Sequence, residues 1–168
     1  MRLMRVSDAA ELAAAYSRNR DHLAYWDPAR SAEFYTEEWQ AADIASRLVA
    51  HDAGVDHLFG LFTGDEIVGR FNLTGIVRGP FQSSSLGYWV DSRYTGRGLA
   101  SSAVQAIIDT AREDLGLHRI EASTLLDNIG SQRVLLKAGF QQIGMAPQYL
   151  KIAGTWQDHN LYQILLHG

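Results

Sequence analysis

No cysteine occurs among the 168 residues. That excludes a thiol nucleophile, a thiolate metal site and a disulfide scaffold, and it agrees with a reducing compartment. Proline is scarce, with 3 in the chain. No linker, low-complexity tract or internal repeat interrupts the sequence. A run of about eighteen apolar residues is also missing, so nothing reads as a membrane span. The opening stretch "MRLMRVSDAAELAAAY" carries charges where a leader peptide needs an apolar core. Neither sign of charge dominates: 15 lysines and arginines face 19 aspartates and glutamates, for a formal net charge of −4 with the signs interspersed. A nucleic-acid backbone is therefore not a favoured partner, and a cationic one is tolerated. The 6 histidines show no paired spacing with acids that would define a metal site. These absences leave a metal-free, cytoplasmic, single domain over residues 1–168, long enough to bury roughly 70% of its unfolded surface without a staple.

What is present centres on Leu86 to Ala122. Alternating bulk at Leu86, Tyr88 and Val90 predicts a strand, and the polar run Asp91, Ser92, Arg93 ends it. After "RYTGRGLA" the apolar residues Leu99, Ala103, Val104, Ile107, Ile108, Ala111 and Leu115 recur at helical spacing until Gly116. Gly96 and Gly98 precede that helix directly. A helix start offers unpartnered amides and partial positive charge, and glycine lets an anion approach them, so the pair can seat a phosphate. It can equally make a tight strand-to-helix turn. A Walker loop is excluded because no Lys followed by Ser or Thr comes after the glycines, and a dinucleotide fingerprint would need Gly where Ser101 stands.

Around this centre the chain opens with a strand near Arg2 to Val6 and a helix that Ser7 or Asp8 can cap. The aromatic segment "NRDHLAYWDP" follows, either closing the core or forming a lid. Thr36 and its acidic followers predict a second helix with Trp39, Ile44, Leu48 and Val49 on one face. Gly64 and Asp65 mark a hairpin, "VRGPFQSSS" reads as a loop, and "HRIEASTL" as a strand. Asn128 heads a short helix, and a turn at Ala153 and Gly154 joins two final strands. One α/β domain follows, with a mixed, mostly antiparallel twisted sheet flanked by about four helices.

Arg93, Gly96 and Gly98 fit the first signature of the GNAT (GCN5-related) N-acetyltransferases, and "NIGSQRVLLKAGF" resembles the second. "NRDHLAYWDP", "RGPFQ", "LGLHRIEA" and "GTWQDH" extend the resemblance to the RimJ/RimL-type ribosomal-protein alanine N-acetyltransferases. The resemblance implies the GNAT fold and transfer of acetyl from acetyl-CoA, by direct attack, to a primary amine. The acceptor it implies is a ribosomal-protein or peptide N terminus; a small amine or peptide antibiotic, or a catalytically weak acyl-CoA-binding module, are the alternatives. A homodimer stays open. It also puts the CoA pyrophosphate on Thr95, Gly96, Arg97, Gly98, Leu99 and Ala100, the pantetheine along Tyr88, Trp89 and Val90, and Asn128 against the cofactor. Tyr25, Trp26, Phe81 and Asp158 become the acceptor wall, with Trp156 structural.

Two departures from the family's pattern bear on mechanism. Many relatives carry a tyrosine seven residues after the asparagine to protonate the departing thiolate, and Leu135 stands there, which leaves Ser131 as the nearest hydroxyl. Relatives often place a glutamate on the strand before the glycine loop, and this chain has Ser83, Ser84 and Ser85. The base is then Glu121 first, with Asp91, His118 or a water chain as alternatives.

Overall fold

The computed structural model describes residues 1–167. Its strands are β1 Arg2–Leu3, β2 His57–Thr63, β3 Glu66–Val77, β4 Ser83–Val90, β5 Arg119–Leu125, β6 Gln141–Ile152 and β7 Thr155–Leu165. They form one sheet in the order β1-β2-β3-β4-β5-β7-β6. All neighbours run antiparallel except β4 and β5, so the sheet is mixed and mostly antiparallel. The helices are α1 Ala9–Arg18, α2 Arg20–Leu23, α3 Glu37–Asp52, α4 Leu99–Glu113 and α5 Ile129–Lys137. That fits the expected about four, with the segment after α1 winding into the single turn of α2.

Each face of the sheet has its own core. Helix α4 turns Ala103, Val104, Ile107, Ile108 and Ala111 onto Phe71, Leu73, Leu86, Ile120 and Ala122, and Leu135 of α5 joins them. Each Val, Leu, Ile or Phe among them contributes roughly 1.5–3 kcal/mol on full burial. On the other face Leu12 and Tyr16 of α1 and Ile44 of α3 pack on Leu58, Ile67 and Trp89. The buried face of α3 differs from the sequence expectation. Val49 is 71% exposed, and Gln40 is buried instead because its Nε2 donates to the Phe34 carbonyl at 2.7 Å. Thr36 caps α3 as expected, accepting from Trp39 N. Asp8 gives α1 no side-chain cap and binds Arg5 N and the Arg2 guanidinium. The serine run is not loop but the first part of β4.

The functional feature of the sheet lies between β4 and β5. They pair only from Ser83↔Arg119 to Leu86↔Ala122. Beyond that rung β4 stays with β3 as far as Gly69↔Val90, and β5 stays with β7 as far as Leu125↔His159. Twisted strands that follow different partners diverge. The facing edges of Gly87–Val90 and Ser123–Leu125 therefore open onto a cleft with unpaired backbone groups, a template for an extended, amide-bearing ligand.

Candidate active site

The turn after β4 is held by a buried polar knot. Asp91 is 1% exposed and accepts from Arg93 Nε at 3.0 Å, Arg93 Nη2 at 2.8 Å and Asn19 Nδ2 at 3.0 Å. Asn19 in turn accepts from Ser92 N at 2.9 Å. The Arg93 guanidinium holds the Asp91 carboxyl well below the ordinary carboxylate range, aided by Asn19 and against the cost of burial. Asp91 is thus a structural anion that stays ionised, not a proton acceptor near neutrality. Arg93 also reaches Glu66 at 2.6 Å, so this signature arginine fastens the turn to β3.

From this anchor the chain passes through Gly96 at φ +74° and Gly98 at φ +80°, both left-handed and suited to glycine. Gly98 is the N-cap of α4 and offers no side-chain cap. Among the described residues, the amides from Gly96 to Ser101 donate to no protein acceptor; Ser102 N is the first to find one, at Gly98 O. A Cβ built on either glycine meets nothing within 4 Å, so both face open space.

The cleft has a volume of about 1010 Å³ and is walled by the glycine turn, both splayed strands, the start of α5, the α2 segment and β6–β7. Of the residues assigned to the cofactor, Tyr88, Trp89, Val90, Thr95, Gly96, Gly98, Leu99, Ala100 and Asn128 all line it. Arg97 is not among them and stacks over Tyr94, 5.2 Å from the ring centre. Asn128 Oδ1 accepts from Ser131 N at 3.1 Å, capping α5 and leaving its amide nitrogen free. Ser131 lines the cleft, with Oγ 2.9 Å from the Tyr88 hydroxyl. Burial pushes the Tyr88 hydroxyl up to about 12, partly countered by its hydrogen bond to Ser131, so it remains protonated at neutral pH. Tyrosine is absent at Leu135, yet a tyrosine hydroxyl reaches the same serine from β4. Strand alternation put Tyr88 on this face but could not reveal its neighbour on α5.

The expected acceptor wall is only partly assembled. Trp26 lines the cleft. Tyr25 lies outside it and donates from its hydroxyl to Asp127 Oδ2 at 2.6 Å, tying the α2 segment to the β5–α5 loop. Ala153 N adds a second tie, to the Asp27 carbonyl at 3.0 Å. Phe81 is 46% exposed beside Arg119, away from the cleft. Asp158 faces away and accepts from Gln148 N at 2.8 Å, pinning a bulge in β6. Trp156, read as structural, is 62% exposed. Glu121 is absent from the cleft lining, one rung before the splay between Ser85 and Gln163, with Arg119 at 3.7 Å. His118 also lies outside. The sequence reading chose Asp158 from "GTWQDH" where its neighbour His159 lines the cleft, and it missed Tyr149 and Asp127, which line it too. Asp27 lines it too; burial pushes its carboxyl up, opposed by Arg30 and Arg70.

A splayed parallel pair beneath a glycine turn, with the amides of the following helix unpaired, defines a protein built to hold an acyl-bearing pantetheine cofactor. The chain belongs to the acetyltransferase (GNAT) domain family, whose model matches residues 1–141. It is 37% identical to the [ribosomal protein uS5]-alanine N-acetyltransferase of Escherichia coli, over 96% of this chain and 84% of that protein. The ribosomal-protein-S5-alanine acetyltransferase of Vibrio fischeri superposes with a TM-score of 0.94 at 36% identity, covering 98% of this chain and 91% of that one. Mycobacterium smegmatis RimJ, solved in complex with CoA-disulfide, gives 0.93 at 29% identity over 98% and 80%.

The protein is an N-acetyltransferase and acetyl-CoA is its co-substrate. The residues present fit that co-substrate. The unpaired amides suit a pyrophosphate, the open space at Gly96 and Gly98 admits it, and Thr124 Oγ1, buried in the cleft wall, has no protein partner. Among the described residues no three His, Asp or Glu side chains gather as metal ligands. No described helix is long and apolar enough to cross a membrane.

Proposed function

We propose that the acceptor is the α-amine of an N-terminal alanine or serine, on a ribosomal protein or a short peptide. The observation that carries this reading is the charge of the cleft: Asp27 and Asp127 line it, no lysine or arginine among the described residues does, and Trp26 supplies an apolar wall beside them. Such a surface attracts an ammonium group and tolerates a small first side chain. The similarity to alanine N-acetyltransferases over nearly the whole chain supports the same choice. An α-amine with pKa near 8 is partly neutral at neutral pH, whereas a lysine near 10.4 must give up roughly 3 units, about 4 kcal/mol. A cleft without a glutamate on β4 suits the weaker base. Ribosomal proteins are made in the cytoplasm, which is the compartment we propose.

Acetyl-CoA, when bound, supplies the thioester that the amine attacks. The amides from Gly96 to Ser101 hold its pyrophosphate, and the free edges of β4 and β5 pair with the amides of its arm. Asn128 keeps α5 in place through Oδ1 and offers its amide nitrogen to the same ligand. Ser131 Oγ holds the proton for the departing sulfur, and Tyr88 fixes the direction of that hydroxyl. With no cysteine in the chain, the amine attacks directly.

An acetyl-transfer screen with mass spectrometry tests the acceptor. It compares ribosomal-protein N-terminal peptides, the same peptides N-blocked but containing lysine, spermidine, and an amine-bearing peptide antibiotic. Modification of the free α-amine peptides supports the proposal. Turnover of the blocked peptides, of spermidine or of the antibiotic alone would overturn it, and no turnover with any amine would favour a binding module.

A further inference from the structure

We infer that His159 is the general base, taking the proton from the acceptor ammonium at Nε2. His159 lies on β7 opposite Leu125, three rungs beyond the last β4–β5 pair at Ala122. It lines the cleft and is 3% exposed. Its Nδ1 sits 3.0 Å from the Gln157 carbonyl oxygen. A carbonyl only accepts, so Nδ1 must carry the hydrogen and donate it. The neutral ring then has its lone pair on Nε2, which has no protein partner among the described residues. A backbone contact within β7 thus selects the imidazole tautomer that a base requires.

The other ionisable groups of the cleft are otherwise engaged. Asp127 accepts from Tyr25, Asp27 has Arg30 at 3.8 Å, and Tyr88 is spent on Ser131. Tyr149 of β6 packs its ring 5.7 Å from that of His159. His22, on the far α2 segment, also lines the cleft; among the described residues it has no hydrogen bond that orients its ring.

The proton balance closes with His159 in this role. Nε2 removes one proton from the ammonium, freeing the lone pair that forms the C–N bond. The second N–H proton passes to water as the amide forms. The C–S bond breaks with its electron pair on sulfur, which takes a proton from Ser131 Oγ, and that hydroxyl is restored from Tyr88 and solvent. His159 then releases its proton to water. The net change is one ammonium and one thioester converted to one amide, one thiol and one proton.

This inference rests on an amine acceptor but not on which amine, so its first test needs no acceptor at all. In ¹⁵N-resolved imidazole spectra of the wild-type protein at mildly alkaline pH, the His159 Nε2 should show the shift of a nitrogen with a lone pair and Nδ1 that of an N–H. The opposite assignment, the commoner one in free histidine, would overturn the proposal. The second test uses His159→Gln with the amine that turns over fastest. It should lower kcat about 10²-fold and flatten the acid limb of kcat/KM against pH. Calorimetry should find acetyl-CoA affinity within about twofold of wild type. A loss of kcat below about threefold, or an unchanged acid limb, would return the role to water. A variant that fails to fold leaves the spectra to decide.

Discussion

The side of the cleft we propose for the donor draws its lining from nearly continuous sequence: Tyr88 to Ala100, with Asn128 and Ser131 further on. The side we propose for the acceptor collects Trp26, Asp127, Tyr149 and His159 from segments far apart, and one bond that joins these segments, Tyr25 to Asp127, spans 102 positions. The donor wall is mostly backbone, namely helix amides, strand edges and left-handed glycines, with few side chains beside them. The acceptor wall is side chains whose directions depend on bulges and register. Backbone recognition tolerates much sequence change while the turn persists, whereas a side-chain wall can change specificity through single residues. One chain can thereby keep its co-substrate while its acceptor varies.

Three variants would break or sharpen that contrast. The largest effect is expected for Gly98→Val. It puts a β-branched residue at φ +80° and fills the open space over the α4 amides. Acetyl-CoA affinity should fall at least about 100-fold by calorimetry on folded protein. Retained affinity would remove the backbone seat. Next is Ser131→Ala, which should reduce kcat by about 10²-fold while acetyl-CoA binding and the α5 cap persist, because the cap uses Ser131 N rather than Oγ. If kcat drops by less than about threefold, solvent protonates the sulfur. The smallest effect is expected for Tyr25→Phe, which cuts the tie to Asp127. The acceptor KM should rise about threefold with acetyl-CoA affinity unchanged. A change confined to acetyl-CoA affinity would mean that the two walls are not separable.

Much of this molecule can be read along the chain. The spacing of Ala103, Val104, Ile107, Ile108 and Ala111 sufficed for α4, and the pairs Gly64–Asp65 and Ala153–Gly154 sufficed for two hairpins, because periodicity and turn chemistry act over a few residues. The glycine turn ahead of α4 was legible for the same reason, since the turn and the helix after it are neighbours in sequence. Glu121 was the first choice for the base, and sequence could not reveal that it stands one rung before the strands part. The alternation of Asp158 and His159 already meant that they face opposite ways, but which of them meets the cleft depended on the pairing of β7 with β5.

The sequence by itself determined a cysteine-free α/β domain with a glycine turn leading into its central helix, through interactions that close within a turn or a helix. Only the tertiary structure decided where β4 and β5 separate, that Tyr88 meets Ser131, and that His159 rather than Asp158 faces the cleft. Those outcomes rest on strand register and long-range packing, where a shift of one residue turns a side chain to the opposite face.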